Sequence, residues 1–376
     1  MVKRSIEKII QQYLFKKKAI IIYGARQVGK TTLVESLVKN YTQKTLFLNG
    51  DDSDIRDILS EASVAKLKPI LENYKIVVLD EAQRIQETGL VLKIIHDNFK
   101  DIQLIATGSS AFDLANKINE PLTGRKFEFY LHPFSFSEMV NHHGFLTEKR
   151  LLEHRMIYGY YPDIALNPSE GKKLIKSLAS SYLYKDLLIL DQIQKPALLE
   201  KLLKALALQI GSEVSYNELS GFLKSDKGTI EKYIDLLEKA YIIFRLNGLN
   251  RNVRNEIKKG KKIYFYDNGI RNAIIGNFLP LTSRTDTGSL WENFLISERI
   301  KFNTNRDIDF QSYFWRTTQQ QEIDYIEEAE NKLFAFEFKW NPAKKGFLSK
   351  TFSNAYQGSS FKIISPDNIH EFLLDS

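Results

Sequence analysis

An apolar run, AIIIY, leads into Gly24-Ala25-Arg26-Gln27-Val28-Gly29-Lys30-Thr31, and that octet opens the apolar-periodic stretch TTLVESLV. Strand, glycine-flanked loop and helix, in that order, constrain this chain more than any other feature. The octet fits G-x-x-x-x-G-K-[ST]. Its glycines let the backbone curl until several N–H groups face a phosphate at a helix N-terminus. Lys30 is then placed to charge-pair with the β- and γ-phosphates, and the Thr31 hydroxyl to ligate Mg²⁺. Gly24 through Thr32 is therefore the expected nucleotide-binding segment, with ATP and Mg²⁺ as its cofactors.

Such a loop needs a sheet behind it. Across residues 19–130 the runs AIIIY, TLFLN, KIVVLD, IQLIAT and FEFYL alternate with helical patterns, which predicts a parallel α/β sheet with crossover helices. KIVVLD ends in two carboxylates. Asp80 is placed to hold the metal through its water shell and Glu81 to polarise the attacking water. At the tip of the neighbouring strand, Thr107 and Ser109 are the candidates to sense the γ-phosphate. Arg125, just before the fifth strand, either reaches a nucleotide on a neighbouring subunit or makes a local salt bridge.

The length of 376 residues exceeds one ordinary core and predicts several domains. No cysteine is present, which excludes disulfides and thiolate metal sites and agrees with a cytoplasmic location. No apolar run approaches the roughly 18 residues that cross a bilayer, so no membrane partner is expected. The basic N-terminus lacks the apolar block of a signal peptide. Ile6, Ile9, Ile10, Tyr13 and Leu14 instead recur at helical spacing, as in a helix that packs on the first domain. His142-His143 reads as a surface pair, because adjacent side chains on a helix point apart.

The domains expected are 1–130, the ATPase; 131–210, a helical lid; 211–270; and 271–376. In the third, a helix carrying Leu219 and Phe222 precedes a turn with Ser225, Asp226 and Gly228. A second helix follows, with Ile230, Tyr233, Ile234 and Leu237 inward and Lys227, Thr229 and Lys232 outward. Strands IIFRL and KIYFY would complete a winged helix. Between Arg245 and Lys262, seven basic residues (Arg245, Arg251, Arg254, Lys258, Lys259, Lys261 and Lys262) face a single acid, Glu256. A stretch of that kind suits a phosphate backbone, so DNA is the expected partner through the winged helix and residues 245–262. Glu231, Asp235 and Glu238 make the second helix less basic, which leaves a protein-docking role open.

In the last domain, Glu322-Ile-Asp324-Tyr-Ile and Phe334-Ala-Phe-Glu337-Phe-Lys339-Trp alternate as strands, putting Glu337 and Lys339 on one face. Asp324 and Glu337 would hold Mg²⁺ through oxygen, Lys339 would orient water or offset phosphate charge, and Glu292 on the preceding helix would be a fourth member. Gln357 is a further candidate. This set resembles the restriction-endonuclease-like nuclease core, D-x(n)-E-x-K with a helical Glu. The alternative is a strand face carrying an ion pair.

Five stretches, GARQVGKTTL, FLNGDD, IVVLDEAQ, LIATGSS and the later GR-F-P-SFSE, resemble the AAA+ superfamily. They are most similar to bacterial and archaeal AAA+ ATPases that end in a domain of unknown function. Tyr158-Gly-Tyr-Tyr-Pro162 and Tyr264-Phe-Tyr-Asp267-Asn-Gly269 match patterns recurring there too. The resemblance implies ATP binding and assembly into a homo-oligomer, and names no substrate; a second sensor arginine is not identifiable. The reading expected is an α/β ATP hydrolase acting on DNA through a nuclease-like domain. The alternative is a nucleotide-driven switch or scaffold with an inactive docking domain.

Overall fold

Five short strands, β1 (Ala19–Tyr23), β2 (Thr45–Asn49), β3 (Ile76–Asp80), β4 (Gln103–Gly108) and β5 (Lys126–Tyr130), lie in the order β2-β3-β4-β1-β5. Every neighbouring pair is parallel, as the alternation of apolar runs and helical patterns predicted. The computed structural model describes residues 1–109, 118, 120–181, 193, 195–250, 260–317 and 319–374. The three central strands are buried along their whole length. That is why they read as unbroken apolar runs, whereas the edge strands β2 and β5 keep exposed positions. Helices α1 (Glu7–Tyr13), α2 (Lys30–Val38), α3 (Ser53–Ser60), α4 (Val64–Leu71) and α5 (Thr88–Asn98) join or flank the strands, with α1 packed on α2.

Residues 1–133 with 239–241 form one compact unit, and residues 134–238 with 242–376 form another. The second unit begins with helices α6 (Phe136–His143), α7 (Phe145–Arg150), α8 (Leu152–Tyr158), α9 (Pro162–Leu166), α10 (Gly171–Ser181) and α11 (Pro196–Leu208). His143 is not a plain surface residue, because its Nε2 lies 2.6 Å from the fully buried Glu148 carboxylate. Then come α12 (Tyr216–Leu223) and α13 (Lys227–Lys239), and later α14 (Asn268–Ile275), α15 (Thr287–Thr304), α16 (Lys350–Ala355) and α17 (His370–Leu373). In α13 Ile230, Tyr233, Ile234 and Leu237 are buried as the periodicity required. In α12 Leu219 is buried and Phe222 is 76% exposed.

The remaining strands are β6 (Glu213–Val214), β7 (Ile243–Gly248), β8 (Lys261–Phe265), β9 (Gln311–Arg316), β10 (Glu322–Ala329), β11 (Lys332–Phe338) and β12 (Ser360–Ile364). They make one sheet in the order β12-β11-β10-β9-β7-β8-β6. Parallel pairing of β7 with β9, through Asn247↔Tyr313 and Gly248↔Phe314, carries the hydrogen-bonded ladder across sequence segments 211–270 and 271–376.

The two tyrosine-rich motifs meet at one buried carboxylate. Asp267 accepts from the Tyr160 and Ile270 N–H groups, at 2.7 and 3.1 Å, capping α14. Gly159 has φ +80°, and a Cβ there would sit 2.0 Å from Asp267 Oδ1; one on Gly269 would sit 2.0 Å from the Tyr158 carbonyl. Their glycines are close-approach residues, and these motifs build the fold.

Candidate active site

The glycine loop lies at the C-terminal ends of β1, β3 and β4, where ligands of parallel α/β sheets bind. Gly24 packs so tightly that a Cβ would meet the Leu131 carbonyl at 2.1 Å. Gln27 (φ +62°) and Gly29 (φ +91°) are left-handed, turning the chain onto the start of α2, where no side chain caps the helix. Ala25 and Val28 are buried, and Arg26 is half-buried. Thr31 and Thr32 are exposed at the first turn. Lys30 is 4% exposed and its Nζ donates to the Gly24 and Ala25 carbonyls, each at 3.1 Å. Burial lowers its pKa from the ordinary lysine value, and the Glu81 and Asp80 carboxylates offset this only in part. The ammonium is thus compensated only in part, and phosphate oxygens would add the rest.

Asp80 ends β3 and is gripped from both sides. The Thr31 hydroxyl donates to Oδ2 at 2.7 Å and the Thr107 hydroxyl to Oδ1 at 2.5 Å. Thr107 Oγ1 also accepts from the Glu81 N–H at 3.0 Å. Hydroxyl and carboxylate oxygens are the hard donors Mg²⁺ takes, so Thr31 and Asp80 fit that ion. Glu81 is left-handed (φ +49°) and its carboxylate lies 3.7 Å from Lys30 Nζ. Gln83 Nε2 donates to Glu81 Oε2 at 2.6 Å and to Ser109 Oγ at 2.9 Å. Lys30, Thr31, Asp80, Glu81, Thr107 and Ser109 are thus brought together; Ser110 lies outside the described residues. Of the two candidates on β4, Thr107 holds Asp80 while Ser109 reaches Glu81 only through Gln83.

Arg125 is not part of this constellation. Its carbonyl pairs with the Ala19 N–H at the opposite end of β1, and its Nε donates to Asp97 Oδ1 at 3.1 Å. Within one chain it makes the local salt bridge. Two residues that sequence reasoning missed support the loop. Arg4 donates to the Val28 carbonyl at 2.9 Å and to the His132 carbonyl at 2.7 Å. Gln83, the last residue of IVVLDEAQ, is the second, linking Glu81 to Ser109.

In the second unit Glu292, Asp324, Glu337 and Lys339 also gather. Lys339 Nζ pairs with Glu337 Oε1 at 2.6 Å. Asp324 accepts from the Phe338 N–H at 2.7 Å. Burial raises the Asp324 pKa well above the usual carboxylate range, and the Glu292 and Glu337 charges add to it. Glu292 is taken by other donors: Lys262 Nζ at 3.0 Å and the Tyr264 hydroxyl at 2.5 Å, both on Oε1. Among the described residues no three His, Asp or Glu side chains group to hold a metal ion. Gln357 falls beyond the end of α16 and is exposed.

Of the basic stretch, Arg245 and Lys262 are engaged within the protein. Arg245 pairs with Asp235 at 2.7 Å and with Glu238, and Lys262 is 1% exposed. Lys261 Nζ lies over the Tyr216 ring at 5.6 Å. Arg251, Arg254, Glu256, Lys258 and Lys259 lie outside the described residues. Counting charge along a sequence does not separate inward from outward positions.

Among the described residues no helix is long and apolar enough to cross a membrane. Residues 16–140 match the AAA domain family. Residues 149–280 and 287–366 match two families described as Domain of unknown function (DUF8612) and Domain of unknown function (DUF4143). An uncharacterized protein of Mycobacterium tuberculosis is 24% identical over 335 residues, 88% of this chain and 72% of that protein. The replication factor C large subunit of Sulfolobus acidocaldarius is 37% identical over 87 residues, 21% of this chain and 20% of that protein. A solved DNA replication initiation factor aligns at 12% identity and TM-score 0.29, over 73% of this chain and 93% of that one, a likeness too low to carry an argument. The first unit thus has the sheet, the loop and the family similarity of an AAA-type P-loop ATPase domain.

Proposed function

We propose that the chain binds and hydrolyses Mg²⁺-ATP at the glycine loop and uses that cycle to act on DNA through its second unit. The observation that carries the ATPase reading is the linked set Thr31–Asp80–Thr107–Glu81 beside the buried Lys30, whose charge Glu81 and Asp80 offset in part. Lys30 exchanges its two loop carbonyls for phosphate oxygens. Thr31 and Asp80 hold the ion, which when bound supplies charge neutralisation to the phosphates. Glu81, set by Gln83, orients the attacking water and accepts its proton. Arg4 and Gly24 keep the loop in place. Arg125 is free to act on a neighbouring subunit's site only by exchanging its Asp97 partner.

The DNA reading rests on the helix pair α12–α13 followed by the β7–β8 hairpin, an arrangement that suits a winged helix, and on the exposed Lys227 and Lys232. Asp324 and Glu337 would hold a divalent ion beside Lys339, giving the second unit a nuclease-like site. A second reading, a nucleotide-driven switch whose C-terminal domain only docks, is favoured by one observation: Glu292, Lys262 and Arg245 are already engaged within the protein.

Steady-state ATP hydrolysis by wild type and Lys30→Ala, with and without duplex and single-stranded DNA, tests this. Turnover lost in Lys30→Ala and stimulated by DNA supports the lead reading. Lys30-dependent turnover indifferent to DNA favours the switch, and turnover surviving Lys30→Ala overturns the ATPase assignment.

A further inference from the structure

Between α1 and β1 the chain turns through Phe15 and Lys17, both left-handed at φ +60° and +57° although neither is glycine. Such a backbone is strained and persists only where its surroundings hold it. Three contacts do so. The Phe15 N–H donates to Gln103 Oε1 at 2.5 Å, Gln103 Nε2 donates to the Lys18 carbonyl at 3.0 Å, and His96 Nε2 lies 3.2 Å from the Lys17 carbonyl. Gln103 begins β4 and is 3% exposed, so a buried amide of the sheet fixes the shape of a lysine-rich turn.

That turn walls a cleft of about 240 Å³ at the end of β1 and β4 away from the glycine loop. Lys17 and Lys18 line it from one side, and Lys100 and Asp101 from the loop after α5. Three lysines thus meet one aspartate, an excess of two positive charges. Among the described residues no carboxylate pairs with Lys17 or Lys18, and the Lys18 ammonium lies over the Phe127 ring at 4.9 Å. Asp97, beside the cleft, adds no free charge. It is taken by His96 Nδ1 at 2.9 Å and Arg125 Nε at 3.1 Å, with Lys100 Nζ at 3.9 Å. The His96 hydrogen bond, and after it the Arg125 charge, hold its carboxyl below the usual range.

We infer that this cleft is a second anion site, separate from the glycine loop, which takes a small phosphate-bearing molecule between Lys17, Lys18 and Lys100. A phosphate monoester carries about −1.5 to −2 charges at pH 7, which matches the excess. Sites for drug-sized ligands run to about 300–1,000 Å³, so this smaller cleft suits a phosphate with a short organic group. The Phe15 ring, 46% exposed, lines it and offers that group an apolar surface. The turn is shaped before any ligand arrives, so binding orders little backbone. Nothing in this depends on the ATPase assignment.

The test measures binding of inorganic phosphate and of phenyl phosphate to the full chain by titration calorimetry, in a Lys30→Ala background. Phosphate remaining at the glycine loop is common to all variants and cancels between them. Lys17→Gln/Lys100→Gln is compared with Lys66→Gln/Lys68→Gln, which removes the same charge from α4, outside the cleft lining. All four lysines are exposed, so the substitutions leave the core untouched. Affinity is expected to fall about tenfold in the first pair and to change little in the second. Absence of binding overturns the inference, as does unchanged affinity in Lys17→Gln/Lys100→Gln or equal weakening by both pairs. Tighter binding of phenyl phosphate identifies an ester as the ligand and tighter binding of inorganic phosphate the free ion, and either one supports the site.

Discussion

Replacing Thr107 with valine changes almost nothing in shape and two things in chemistry. Thr107 is fully buried at the end of β4, so the swap leaves packing nearly intact. It deletes the hydroxyl that donates to Asp80 at 2.5 Å and accepts from the Glu81 N–H at 3.0 Å. A hydrogen bond to a charged group contributes about 1.5–3 kcal/mol and an ordinary one about 1 kcal/mol, so the loss should be about 2–4 kcal/mol. Asp80 would keep only its Thr31 bond. Losing an outer partner of a metal-holding carboxylate typically costs about 10–100-fold in metal affinity. The three tryptophans, Trp291, Trp315 and Trp340, all belong to the second unit and none to the unit that contains β4. Amide hydrogen exchange across β3 and β4, with Mg²⁺ titrations of nucleotide binding, reports the right region. Wild-type exchange together with wild-type Mg²⁺ dependence in Thr107→Val would refute the role given to this hydroxyl.

Gly159→Ala must hold a left-handed residue and place a methyl 2.0 Å from Asp267 Oδ1, expelling the carboxylate from the Tyr160 and Ile270 N–H groups. A loss of about 3 kcal/mol is expected in urea unfolding followed by tryptophan fluorescence, and a loss below about 0.5 kcal/mol counts against the close-approach argument. Asp286 is bound by Arg271 at 2.5 Å and by Arg284 at 2.8 Å. Burial acts to raise its pKa, but the two guanidinium groups outweigh this and bring it down to about 2. A depressed carboxylate pKa stabilises the fold above the unfolded value near 3.9 and is lost as pH falls toward 2. Asp286→Asn should therefore cost about 1–2 kcal/mol at pH 7, allowing for partial exposure. The difference from wild type should shrink between pH 4 and pH 2, about the window of the shift. A gap independent of pH would show that the carboxylate's charge is not what matters.

The glycine loop was legible because its chemistry is local: eight consecutive residues, preceded and followed by the elements that orient them. The parallel strands were legible because burial on both faces leaves unbroken apolar runs. Arg4 was not, since its partners Val28 and His132 lie 24 and 128 residues away and no periodicity marks a hydrogen bond of that span. Lys262 was counted with an outward basic run, although it shares its strand face with Tyr264 and could have been separated from Lys261 by that parity. Helical spacing places Phe222 near Leu219, but only α12's neighbours decide that Leu219 is covered and Phe222 is not.

The pairing of β7 with β9 bears on how the chain is made. Asn247 leaves the ribosome well before Tyr313, its partner across the sheet, and until then β7 has β8 on one side and an open edge on the other. An unpaired edge is a template for any other chain presenting a strand. Non-local parallel pairing also forms slowly. A chain that stops before Gln311 therefore ends with that edge uncovered, and a nascent chain passes through the same state during synthesis. The stretch from residue 249 to 310 sets how long that exposure lasts, so translation pace over those codons becomes a determinant of yield.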